Sequence, residues 1–103
     1  TRGAMASWAK TLSHEVAPDG ITVNNVLPGS TDTERLRSLL RANADRSGKT
    51  YEEIVDQWEA EVPMGRFGRP EEIGQVVAFL ASPAASYITG VSLAVDGGKV
   101  KSI

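Results

Sequence analysis

The stretch Gly20-Ile21-Thr22-Val23-Asn24-Asn25-Val26-Leu27-Pro28-Gly29-Ser30-Thr31-Asp32-Thr33 decides how the chain is read. A β-branched and apolar run from Ile21 to Leu27 breaks at Pro28-Gly29, enters a loop rich in hydroxyls, and opens a charged helix. The run reads as a strand buried on at least one face. A strand whose carboxyl end feeds a helix is where open α/β sheets bind ligands. Gly29 lets the backbone approach a ligand closely, and Pro28 fixes the strand exit. Thr31 and Thr33 bring hydroxyls and amides to a helix amino terminus, where backbone donors lack partners within the helix. The same residues suit a plain strand-to-helix turn, because Thr31 and Glu34 stand at capping-box spacing. Taken by themselves, these residues leave both readings open.

Outward from this stretch, Met5, Trp8, Ala9, Leu12 and Val16 recur at helical spacing, so residues 1–17 read as an amphipathic helix stopped by Ala17-Pro18-Asp19-Gly20. A helix from about Thr33 carries Leu36, Leu39 and Leu40 on one side, and Asn43 to Lys49 is polar enough to read as a loop. Thr50 and Glu53 repeat the capping-box spacing and start a helix with Ile54, Val55, Trp58 and Val62 as its stripe, ended by Pro63. Met64 to Arg69 reads as a tight connector. Pro70 suits a first helical turn, Glu71 and Glu72 complement the helix dipole, and Ile73, Val76, Val77 and Leu80 form the expected buried stripe. Val91, Leu93 and Val95 mark a last strand, closed by Asp96-Gly97-Gly98. The order of helix, strand, helical insertion, helix and strand implies a parallel pair joined by a right-handed crossover.

A chain of 103 residues suits one domain or part of one. The formal charge of −2 is mixed along the chain, and no Lys/Arg run of the nucleic-acid kind occurs. Without cysteine there is no disulfide or thiolate metal site, and one histidine cannot build a zinc cluster, so no metal is expected. The lack of cysteine fits a reducing compartment. No stretch approaches the length of a transmembrane helix. The expectation is a cytoplasmic chain that binds neither nucleic acid nor membrane. It has no initiator Met and begins inside a helical pattern, which reads as the later part of a longer protein.

Three segments carry a resemblance: the Pro28-Gly29 loop, Pro63-Met64-Gly65-Arg66-Phe67-Gly68-Arg69-Pro70-Glu71-Glu72-Ile73, and Thr89-Gly90-Val91-Ser92-Leu93-Ala94-Val95-Asp96-Gly97-Gly98. In this order, from Arg2 to Gly98, they resemble the carboxyl-terminal part of the short-chain dehydrogenase/reductase family. The nearest likeness is to the 3-oxoacyl-(acyl-carrier-protein) reductase type. The resemblance implies an α/β fold, the carboxyl-terminal portion of a Rossmann-type doubly wound parallel sheet: two parallel strands, flanking helices and a helical lid. Residues 1–103 would be part of a single NAD(P)-binding domain, with the amino-terminal part absent and residues 33–62 covering substrate.

It also implies hydride transfer between NAD or NADP and a small-molecule carbonyl or alcohol. Pro28, Gly29, Thr31 and Thr33 would bind the nicotinamide end of the cofactor, with Thr31 giving backbone contacts to the carboxamide and Thr33 a hydroxyl contact. The family's phosphate loop, serine and tyrosine would lie upstream. Counting back from Lys10-Thr11-Leu12 puts Arg2 at the family's catalytic lysine position. Arg keeps the positive charge there but has a wider, planar head that cannot lose its proton; a solvated end residue is the other reading. The Arg substitution also leaves room for a second function, a binding or oligomerising scaffold with altered or lost catalysis. The last strand and the helix before it would serve a homo-oligomer, a dimer or tetramer. Trp58 reads equally as a lid residue or a helix anchor, Arg66 and Arg69 as structural, and His14 as an inert surface residue.

Overall fold

The structure is a computed structural model that describes residues 2–101; the side chain of Arg2 lies outside what is described. Along the chain run α1 (Arg2–Val16), β1 (Asn25–Pro28), α2 (Glu34–Ser47), α3 (Tyr51–Ala60), α4 (Pro70–Leu80) and β2 (Ser92–Val95), with short 3-10 turns at Ala17–Asp19 and Pro83–Ala85. β1 and β2 pair in parallel, with Asn25 opposite Ser92 and Pro28 opposite Val95. This is the α/β arrangement expected, with helices between two parallel strands.

The ladder is shorter than the apolar run. Only Asn25–Pro28 pairs as strand, whereas Ile21 to Asn24 approaches it held by side chains and by the Gly90 N–H, which donates to the Val23 carbonyl at 2.7 Å. The Asn24 carboxamide accepts from the Val91 N–H and donates to the Ile88 carbonyl, both at 3.2 Å. Thr89 Oγ1 accepts from the Val23 N–H at 3.0 Å. Side chains that satisfy backbone groups in this way replace ladder bonds. β-branched content does not report such a substitution, so the expected strand from Ile21 is corrected to one starting at Asn25.

Two helix starts follow local chemistry. Thr50 Oγ1 accepts from the Glu53 N–H at 3.1 Å while Glu53 Oε1 accepts from the Thr50 N–H at 3.0 Å, so this capping box forms as spaced. The box expected between Thr31 and Glu34 does not form. Thr33 is the N-cap, its Oγ1 accepting from the Leu36 N–H at 3.2 Å. The loop expected over Asn43 to Lys49 is also corrected: α2 continues to Ser47 and Gly48 ends it at φ 71°. Ala44 extends the Leu36–Leu40 stripe by one more turn and is buried, which outweighs the polar residues around it.

The main buried cluster joins Leu36, Leu40 and Ala44 of α2 to Ile54 of α3, with Tyr51, Val55, Trp58 and Phe67 packed around it. Trp58 is therefore a half-buried anchor of the helix pair. The sheet side is far more open. The stripe expected to be buried on α4 is not, for no residue of that helix is buried and Val77 is 49% exposed. On α1, Met5 and Trp8 are exposed while Ala9 and Ser13 are buried. The apolar pattern is present on both helices, but a two-stranded sheet has too little surface to cover it.

Candidate functional site

The loop after β1 is held from three directions. Gly29 donates its N–H to the Val95 carbonyl at 3.0 Å, prolonging the parallel pairing by one residue. At Gly29 the two strand ends come so close that a Cβ would lie 2.6 Å from Asp96 Cβ and 2.8 Å from Asp96 Cα. Gly29→Ala is therefore expected to spread the strand ends and destabilise the protein by about 1–3 kcal/mol, the usual cost of overpacking, read as a lower denaturant midpoint. An unchanged midpoint would show that Asp96 moves aside freely.

Ser30 and Asp32 are held by one residue of the connector. The Gly68 N–H donates to the Ser30 carbonyl at 2.9 Å, and the Asp32 N–H donates to the Gly68 carbonyl at 2.8 Å. Thr31 thus sits between two fixed peptides, in a parallel bridge with Gly68. Its hydroxyl donates to the Gly29 carbonyl at 3.1 Å. Thr33 uses one lone pair of its hydroxyl to cap α2, and a hydroxyl so used still has a proton to donate. Asp32 and Glu34 flank these residues and are paired to Arg37, at 2.7 and 3.4 Å. These carboxylates hold Arg37 above its usual value, the Asp32 hydrogen bond being the larger cause.

The connector is fixed by Glu72 at the start of α4. Arg66 Nη1 and Nη2 meet the two Glu72 oxygens at 2.8 and 2.9 Å, a fork-to-fork pair. Glu72 Oε1 also accepts from the Arg69 N–H at 2.8 Å. The Arg66 hydrogen bonds first, and then the Arg69 N–H, hold the Glu72 carboxyl down at about 2. The pair is therefore charged at any pH near neutrality. A cleft of about 420 Å³ opens beside this region, lined among others by Ser30, Gly68, Ile73, Val95 and Asp96. Thr31 and Thr33 do not line it. They lie on the adjoining loop, at the carboxyl ends of both strands.

Comparison with known proteins gives this geometry its family. Residues 1–99 match the family model described as Enoyl-(Acyl carrier protein) reductase. A short chain dehydrogenase family protein from Francisella tularensis superposes with a TM-score of 0.91 at 36% identity, over 97% of this chain and 41% of that one. The chain belongs to the short-chain dehydrogenase/reductase family. Among family members of known sequence, the uncharacterized oxidoreductase YmfI of Bacillus subtilis is 45% identical over 97 residues, 94% of this chain and 36% of that protein. The 3-oxoacyl-(acyl-carrier-protein) reductase FabG of Aquifex aeolicus is 39% identical over 98 residues, 95% of this chain and 35% of that protein. YwfH, described as an NADPH-dependent reductase involved in bacilysin biosynthesis, superposes with a TM-score of 0.87 at 37% identity, over 98% of this chain and 38% of that one. The chain thus spans little more than a third of the length of these short-chain dehydrogenase/reductase relatives.

Within this short-chain dehydrogenase/reductase chain, the structure gathers Pro28, Gly29, Thr31 and Thr33 into one loop at the strand ends. Arg2 opens α1, and the role expected of its side chain lies outside the described residues. Two contributors escaped the sequence reading. Gly68 reads there only as part of a turn, yet it holds both neighbours of Thr31. Asp96 reads only as the end of a strand, yet its carboxylate accepts from the N–H groups of Gly98 and Val100 at 3.0 and 2.9 Å and shapes the turn beside the cleft. Gly97 in that turn, at φ 65°, leaves room for Val62, where a Cβ would fall 2.7 Å from Cγ1. The spacing of Gly65, Gly68, Gly97 and Gly98 was the available signal, but glycines do not name their partners. Among the described residues no helix is long and apolar enough to cross a membrane.

Proposed function

We propose that this chain is the carboxyl-terminal part of one NAD(P)-binding domain in an oxidoreductase, one that moves hydride between NAD or NADP and a small carbonyl or alcohol. The observation that carries the reading is the Thr31–Thr33 loop, held rigidly at the carboxyl ends of a parallel pair in a chain of this family. Its donor set fits a nicotinamide carboxamide, which needs both donors and acceptors: the backbone N–H and carbonyl of Thr31 and the hydroxyl proton of Thr33. Similarity to relatives named as reductases, and to a neighbour described as NADPH-dependent, supports the same reading.

The bound nicotinamide supplies the hydride chemistry, and the protein supplies placement and charge. Thr31 and Thr33 orient the ring end. Residues 33–62, with their own small core, form the lid that excludes water from substrate. Arg2 occupies the place of the family's lysine and contributes a fixed positive charge, with the family's serine and tyrosine supplied upstream. The protein works in the cytoplasm as a homo-oligomer, dimer or tetramer, in keeping with the exposed apolar side chains Val77 and Phe79 of α4 and Leu93 of β2.

Thr33→Val in the intact protein is expected to weaken NAD(P) binding by about 1 kcal/mol, roughly fivefold, the worth of one hydrogen bond. Titration calorimetry with each cofactor reads this, and Thr33→Ser, which keeps the hydroxyl, should retain wild-type affinity. Unchanged affinity of Thr33→Val for both cofactors would remove Thr33 from the site. The scaffold reading is favoured by one feature, the arginine at position 2. A residue other than tyrosine four positions before Arg2 in the intact protein would turn the assignment towards it.

A further inference from the structure

We propose that the Arg66–Glu72 ion pair is a brace that sets the shape of the Ser30–Asp32 loop, and through it the affinity of that loop for its ligand. The ligand half rests on the nicotinamide reading above; the mechanical half does not. Glu72 pins the connector at two points, through the Arg66 guanidinium and through the Arg69 N–H. Arg66 Nη1 also donates to the Phe67 carbonyl at 3.1 Å. Only Phe67 and Gly68 lie between the pinned residues. Phe67 packs into the α2–α3 core, and Gly68 clamps Ser30 and Asp32. A span this short, fixed at both ends, fixes Gly68, and Gly68 fixes the peptides on either side of Thr31.

The pair is poorly suited to act through global stability. The Arg66 and Glu72 side chains are 43% and 28% exposed, and exposed pairs contribute little to folding. What the fork geometry provides is direction. Two parallel hydrogen bonds hold the Arg66 head in one plane, which a lysine ammonium at the same place cannot do. Arg66 and Glu72 are positioning residues, acting on the ligand only through Gly68 and the loop.

The test uses the intact protein with Arg66→Met, Arg66→Lys, Glu72→Gln and the double variant Arg66→Met with Glu72→Gln. Glutamine retains an acceptor for the Arg69 N–H, so that variant isolates the loss of the charged fork. Hydrogen exchange is followed at the Asp32 amide, which donates to Gly68, with the Ile54 amide of the lid core as internal reference. Arg66→Met is expected to speed Asp32 exchange and raise the NAD(P) dissociation constant, each about five- to tenfold for a loss near the worth of one hydrogen bond, with kcat at saturating cofactor held within about twofold. Ile54 exchange should stay put, Arg66→Lys should fall between, and the double variant should be no worse than either single change. Unchanged Asp32 exchange, or single effects that add in the double variant, would overturn the brace. Faster exchange with unchanged affinity would overturn its link to binding. A wild-type protein that binds neither NAD nor NADP would sink the nicotinamide reading by itself, and the brace would then stand or fall on the exchange rates.

Discussion

Residues 1–103 produced alone are expected to give no monomer with a cooperative thermal transition, and no NAD(P)-linked turnover. The radius of gyration is 16.8 Å, with extents of 55 × 26 × 22 Å. A compact domain of this length would have a radius near 13 Å. The accessible surface of 7049 Å² likewise exceeds the roughly 5,600 Å² of a folded monomer of this mass. The excess is apolar in the places that matter: Trp8 is 62% exposed, Ile21 52%, Phe79 47% and Leu93 40%. A two-stranded parallel pair with uncovered faces is marginal in water, since parallel strands are built to be covered on both sides. Open edges of this kind pair with other chains or aggregate. Sedimentation and scanning calorimetry on the isolated segment check the expectation. A monomer with one sharp transition, and turnover with NAD(P) and a carbonyl, would place the chemistry in residues read here as structural.

Ile54→Ala is expected to be the most damaging single change within the described chain. Ile54 and Leu40 are each 1% exposed and meet across the α2–α3 interface. Truncating such a residue removes its transfer free energy and leaves a cavity, costing about 2–5 kcal/mol. The loss should fall on the helix pair first, because the buried cluster lies in that pair and not in the sheet. Hydrogen exchange across residues 36–58 should rise by about 30-fold or more, up to the limit set by local opening, while amides of β1 and β2 change little. On the proposed lid role of residues 33–62, the same variant should raise KM for substrate more than for cofactor. Equal exchange increases in helix pair and sheet would show that the two open together and would argue against an independent lid.

The sequence by itself determined the order of elements, the start of α3 and α4, and the family. Thr50 and Glu53 make the box that their spacing announces, and Pro70 opens α4 as its missing N–H allows. These features are legible because capping and proline chemistry act over three or four residues, within reach of a linear reading. The Pro28-Gly29 loop was legible for a related reason: a strand stop and a helix start fall within six residues of each other.

Other features needed the third dimension. Thr33 rather than Thr31 became the N-cap because the bridge to Gly68 holds Thr31 outside the helix, which starts two residues later than a Thr31 cap would allow. The polar tail of α2 stayed helical because Ala44 found the core under it. β1 lost its first residues to the Asn24 and Thr89 side chains, whose partners lie more than sixty residues apart in sequence. The stripes of α1 and α4 were read correctly as apolar, but burial depends on what lies opposite, and two strands do not suffice. Only the tertiary structure joined Glu72, through Arg66 and Gly68, to the neighbours of Thr31. Each of these outcomes depends on a contact between distant residues, and hydrophobic periodicity and local spacing carry no information about which distant residue will be met.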